Sequence, residues 1–167
     1  MQYIIEELVK NKAVFIDLMK DCDKELQLWR PQPEKWCLLE IICHLYDEER
    51  LDFRLRTKWV LEKPNQHPPP FNPLNWLEEH EYLQQDFNEM IIKFSMERDA
   101  SIDWLNSLKD PKWSNSFEHS KFGTMRADYF LRNWLAHDYL HIRQITRLKY
   151  NYLKQRAGND LDYAGTW

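Results

Sequence analysis

The sequence predicts an all-α protein, a bundle of four long helices in one domain. Apolar residues recur at spacings of three and four over four long stretches, the period of a helix with one buried face. All eight prolines fall between those stretches or at their ends. The length of 167 residues, 43% of them hydrophobic, suits one domain with a sizeable core and leaves little room for two.

The first stretch, about residues 2–29, repeats Ile4, Leu8, Phe15, Leu18, Met19, Cys22, Leu26 and Trp29. It ends at Arg30-Pro31-Gln32-Pro33, because a residue preceding proline is pushed out of the helical region. The second, about 36–62, is stopped by Pro64 and the run His67-Pro68-Pro69-Pro70. The third opens near Asn75, with Glu78 three residues on as a capping-box-like pair. It carries Leu83, Phe87, Met90, Phe94, Leu105 and Leu108 to the break at Asp110-Pro111. The fourth begins at Thr124, after Gly123, and continues to about Leu153. Residues 1–153 therefore form the bundle domain and 154–167 an aperiodic C-terminal tail.

Loop lengths limit how the four helices connect. A short link makes the first two antiparallel neighbours. The proline-rich link of residues 63–75 can span about 40 Å in polyproline form. That equals the length of the second helix, about 40 Å at 1.5 Å per residue. A long crossover can thus set the third helix parallel to the second, in an up-down-down-up order.

Composition excludes several classes of function. No apolar run is long enough to cross a bilayer. The N-terminus, MQYIIEELVKNK, lacks a signal-peptide pattern, so the cytoplasm is the expected compartment. Net charge is −4, and the single basic knot of Arg54, Arg56 and Lys58 is too small for a nucleic-acid footprint. Cys22, Cys37 and Cys43 form no C-x-x-C pair and are odd in number, which suits three buried thiols in a reducing compartment. The first of only three glycines is Gly123, so no glycine-rich phosphate loop exists upstream.

The chemistry-bearing residues lie on two stripes. On the second helix the inward face reads Cys37, Ile41, His44, Glu48, Leu51, Leu55; on the fourth, Phe130, Trp134, His137, His141, Ile145, Leu148. Residues four apart share a helix face, about 6 Å apart, so His137 and His141 can reach one ion. His44 lies about 12 Å inside its helix and His141 about 18 Å from the end of the other, similar levels if the two helices are antiparallel. Two accounts remain: a three-histidine metal site, or core histidines with satisfied hydrogen bonds. His67, His80 and His119 are expected to face solvent.

Two segments carry a family resemblance. "WCLLEIICHLYDEE", from Trp36, and "FGTMRADYFLRNWLAHDYLHIRQI", with its H-x-x-x-H followed by glutamine, resemble the two histidine patterns of the DinB-like (YfiT-type) metalloenzyme family. The resemblance covers roughly residues 5–150. It implies an up-down-down-up four-helix bundle, often a homodimer, with a zinc or nickel ion held by His44, His137 and His141. Cys37 departs from the pattern, standing where the family commonly caps the second helix with serine or threonine.

Three imidazoles would leave such an ion an open position and its full charge, which suits catalysis. Glu48 is the candidate general base, fourth ligand or ligand-orienting group; an exposed acid is its alternative. Gln144 is placed to hydrogen-bond a ligand or its neighbour, and Trp134 to form a pocket wall or pack in the core. Arg98 either fixes a carboxylate, of substrate or of Glu48, or extends to the surface. The expected function is a metal-dependent enzyme acting on a small-molecule substrate. It transfers a low-molecular-weight thiol to an electrophile, as the resemblance suggests, or hydrolyses its substrate. The alternative is a non-catalytic bundle, with or without a structural metal, that binds a partner through an aromatic-rich surface.

Overall fold

The computed structural model describes residues 1–70, 72–73, 75–158 and 161–165, and four antiparallel and parallel rods dominate it. Helix α1 spans Gln2–Met19 and α2 spans Lys24–Leu28. The expected single helix to residue 29 is thus interrupted. Asp21 adopts a left-handed φ of 58°, and the Asp23 carboxylate accepts the Leu26 N–H at 2.8 Å as an N-cap. Aspartates favour both positions, and apolar spacing does not register them.

The second rod is continuous but not uniform: α3 (Leu38–Asp47), a π-helical segment (Glu48–Phe53) and α4 (Arg54–Glu62). Cys37 caps α3 after all. Its N–H donates to Glu40 Oε2 at 2.9 Å, while its thiol accepts from the first turn, a capping box with sulfur in place of a hydroxyl. Arg30 holds the same Glu40 carboxylate from the linker side, at 2.6 Å.

The third rod starts later than the apolar spacing predicts. A short α5 (Trp76–Glu79) and a 3-10 turn (Tyr82–Gln84) precede α6 (Phe87–Ser107). Asn75 makes no side-chain cap bond, so the expected capping pair with Glu78 does not form. Instead Glu81 turns left-handed, at φ 46°, and Asp86 caps α6 by accepting the Glu89 N–H at 2.9 Å. A hairpin the periodicity did not reveal follows, β1 (Ser116–His119) antiparallel to β2 (Gly123–Arg126), with Gly123 at φ 70° in the turn. Helix α7 (Ala127–Ala157) therefore begins three residues after Thr124 and runs four residues beyond Leu153 to a left-handed Gly158. Part of the expected tail is helix, and a 3-10 turn covers Asp162–Ala164; residues 159, 160, 166 and 167 lie outside the described part.

Side-chain pairs fix the direction of each rod. Leu18 and Glu7 of α1 meet Lys149 and Tyr139 of α7, a parallel pair. Leu8 and Phe15 of α1 meet Arg98 and Phe94 of α6, an antiparallel pair. Arg54 meets Glu97, and Cys43 lines a cleft with Met90, so the second rod runs parallel to α6. Phe53 stacks on Trp134 while His44 meets His141, so it runs antiparallel to α7. The order is up-down-down-up, and the chain crosses back along the bundle between Glu62 and Phe87. One expectation needs correction: α1 and the second rod are antiparallel but not neighbours. Each packs against α6 and α7 instead, so they face one another across the bundle diagonal. The short α2 between them makes that offset possible, packing on α3 itself.

Besides a small group of Val60, Phe117, Ala127 and Phe130, two larger apolar clusters fill the interior. One gathers Phe15, Met19, Leu38, Ile41, Leu45, Phe94, Ile145 and Leu148; the other Ile5, Leu8, Phe53, Ile102, Leu105, Leu131 and Trp134. Each such side chain contributes about 1.5–3 kcal/mol by leaving water. Between the two clusters every rod carries buried polar side chains: Asn11; His44, Glu48 and Glu49; Arg98; and Asp138 and His141. A polar layer thus crosses the middle of the core. None of the described helices is long and apolar enough to cross a membrane.

Candidate metal centre

Within that layer the histidines of α3 and α7 converge. His44 Nε2 lies 3.3 Å from His137 Nε2, and His141 Nε2 lies 3.0 Å from the same atom. Two imidazoles on one tetrahedral ion, each about 2.05 Å from it, would hold their nitrogens about 3.3 Å apart. The observed spacing fits a shared cation. Hydrogen bonding alone fits less well, since His137 Nε2 has one proton or one lone pair, not both, to share between two partners. Among the described residues these three histidines form the one cluster of metal-ligating side chains with this convergence.

The rings are also in the protonation state a metal needs. Burial, and then the neighbouring imidazoles, depress His137 to about 2. The same two causes, with His141 as the neighbour, bring His44 down to about 3. Burial lowers His141 to about 4. All three are neutral at pH 7, with lone pairs available. Packing holds them there: Trp36 stands edge-on to His44 at 4.7 Å between centroids, and Phe53 lies 5.0 Å from His137. Gln144, one turn beyond His141, approaches that ring closely enough to favour its charged form.

Glu48 takes the inward position expected of it, with Oε1 at 3.8 Å from His44 Nε2. Burial raises its pKa, and the Asp52 carboxylate one turn on raises it further. Glu48 therefore keeps a proton and shares it with Asp52, whose charge Arg56 balances. These acids belong to the π segment, in which Glu48, Glu49, Asp52 and Phe53 are all buried.

Two predicted site residues serve the scaffold instead. Arg98 is 1% exposed and reaches neither the surface nor Glu48. It forks onto Asp138 with two bonds of 2.8 Å, and its Nε donates to Glu49 at 2.9 Å. Asn11 adds a bond to Asp138 at 3.1 Å. Trp134 is no pocket wall: fully buried, it donates its indole N–H to Glu49 at 3.0 Å and stacks on Phe53. Glu49, Asp138 and Asn11 were not singled out from the sequence. A signal existed, since Asp138 lies four after Trp134 and three before His141, on the inward face.

The other three histidines stand apart from the cluster. His67 is exposed, as expected. His80 is not simply solvent-facing: it is half-buried, with Nδ1 2.6 Å from Asp47. His119 is half-buried in the hairpin and accepts the Lys121 and Phe122 N–H groups.

Comparison with known proteins agrees with this geometry. Among solved structures the chain is similar to YfiT from Bacillus subtilis, described as a probable metal-dependent hydrolase with an unusual four-helix bundle topology. The TM-score is 0.78 at 18% identity, over 95% of this chain and 88% of that one. At that identity the likeness establishes the fold. No curated protein matches. The DinB superfamily profile matches residues 7–145, a span that runs through all four rods and includes His44, His137 and His141, and the chain therefore belongs to the DinB superfamily.

Proposed function

We propose that this chain is a divalent-metal-dependent enzyme acting on a small molecule. His44, His137 and His141 hold the ion, zinc or nickel, and Glu48 carries protons. The observation behind this reading is the convergence of three neutral imidazoles within 3.0–3.3 Å contacts beside a protonatable carboxylate. When bound, the ion supplies a Lewis acid that brings the pKa of a ligand water or thiol towards neutrality.

The chain's own residues then do three things. The imidazoles leave the ion's charge undiminished, because none is anionic and no carboxylate joins the cluster. The charge of a bound ion would favour the ionised form of Glu48 over the protonated one, and that carboxylate could then receive a proton from the nucleophile and return it to the leaving group. Trp36 and Phe53 restrict the histidine rotamers, so the donor set is pre-organised.

Hydrolysis is the reaction this arrangement supports best, since water needs the proton acceptor that Glu48 provides. YfiT's description as a probable metal-dependent hydrolase points the same way. Thiol transfer is the second reading, favoured by the all-imidazole donor set, which leaves room and charge for a thiolate. None of the chain's cysteines joins the cluster, so the thiol would belong to a low-molecular-weight cofactor.

Elemental analysis of untagged protein tests the site. Near one metal per wild-type chain and almost none in His137→Ala is the expected result; equal content in both overturns the ligand assignment. Glu48→Gln should keep the metal yet lower turnover about 10²–10⁴-fold on whichever substrate a panel of esters, amides and thiol–electrophile pairs identifies. Turnover equal to a metal-stripped control on every member would end the catalytic reading.

A further inference from the structure

A cavity of about 640 Å³ lies beside the metal centre, between the Trp29–Trp36 linker and the C-terminal half of α7. This is within the usual range for a small-molecule site. It shares two walls with the centre, because Trp36 packs on His44 and Gln144 approaches His141. Its lining includes no Asp or Glu. Lys35, Arg147 and Lys154 line it, and neither Lys35 nor Arg147 has a carboxylate partner among the described residues. Two indoles supply an apolar wall, and Gln144 and Asn151 supply amides.

We infer that this cavity binds the anionic end of a small substrate, a carboxylate or phosphate held by Lys35 and Arg147. The indoles take its apolar body, and the reacting group is directed at the ion. Arg147 follows His141 by six residues, about 9 Å along the helix axis. Arginine prefers such planar or tetrahedral oxyanions because its guanidinium forks onto two oxygens. The assignment of this anion to a substrate rests on the metal-enzyme reading; the binding of the anion does not.

Calorimetric titration of the purified chain with 2-naphthoate, 2-naphthyl phosphate and the uncharged 2-naphthamide tests it. One or both anions should bind at least tenfold more tightly than the amide, and the tighter of the two identifies the oxyanion. Lys35→Glu/Arg147→Glu, both on exposed side chains, should weaken anion binding tenfold or more and leave the amide unchanged. Raising salt should weaken the wild type in parallel. His137→Ala separates the two readings. If it loses the metal and keeps the anion, the cavity stands whatever the fate of the enzyme reading. Loss of anion binding in His137→Ala with the charge-reversed variant unaffected places the anion on the ion and overturns the proposal. Equal affinity for anions and amide overturns it too.

Discussion

Cys43 and His44 are adjacent in sequence and both buried, yet their surroundings give them opposite chemistry. His44 faces two other imidazoles, and burial keeps it neutral and available to a cation. Cys43 faces apolar side chains and the Tyr82 carbonyl, and burial pushes its thiol up to about 12; Cys37 rises to about 11 for the same reason. Only half-buried Cys22 retains access to solvent. A thiol reagent at pH 8 should therefore modify one cysteine in the native protein, Cys22, and all three after denaturation. Peptide mapping checks this, and rapid native labelling of Cys37 or Cys43 would contradict it. The linkage has a sign. Unfolded thiols titrate near about 8.5, below their folded values, so their contribution to stability is complete below that pH and is lost as pH rises towards 12. At this scale the three histidines were legible because histidine is rare on an apolar stripe. The Arg98 partners were not, because acidic residues at helical spacing look alike whether they face solvent or another rod.

Helix boundaries show what periodicity misses. The apolar spacing runs unbroken through Cys22, Leu26 and Trp29, and again through Leu83 and Phe87, but in both places the backbone breaks. Aspartates at 21, 23 and 86 and a left-handed Glu81 decide those boundaries. Asp86→Ala removes the acceptor for the Glu89 N–H, and should cost about 1 kcal/mol, seen as a lower urea midpoint at unchanged slope. No change in midpoint would mean α6 is held by packing alone. The π segment was equally invisible, since a stripe drawn at 3.6 residues per turn presumes the geometry it sets out to find. That segment carries both Glu48 and Glu49 inward, one to the histidine cluster and one to Arg98.

Arg98 ties the whole bundle together across its polar layer. From α6 it reaches the Leu8 carbonyl on α1, Glu49 on the second rod and Asp138 on α7. The sequence neighbours of its partners matter as much: Glu49 follows Glu48 and Asp138 follows His137, so the network that joins the four rods adjoins the histidine cluster on two of them. Arg98→Ala leaves two carboxylates buried without a cation, and should destabilise the fold by about 3–5 kcal/mol in urea denaturation. Adding Glu49→Gln and Asp138→Asn should recover part of that loss. An undiminished midpoint in Arg98→Ala would show that water reaches the layer and solvates both acids.

By itself the sequence determined the all-α class, the four rods, their proline-bounded links and the three histidines, because each is a matter of spacing along one chain. Which rods touch, where the chain breaks within a rod, and which acids meet Arg98 were decided only by the tertiary structure. Those outcomes depend on side chains far apart in sequence competing for the same buried positions. A buried charge is tolerated only where such a partner arrives.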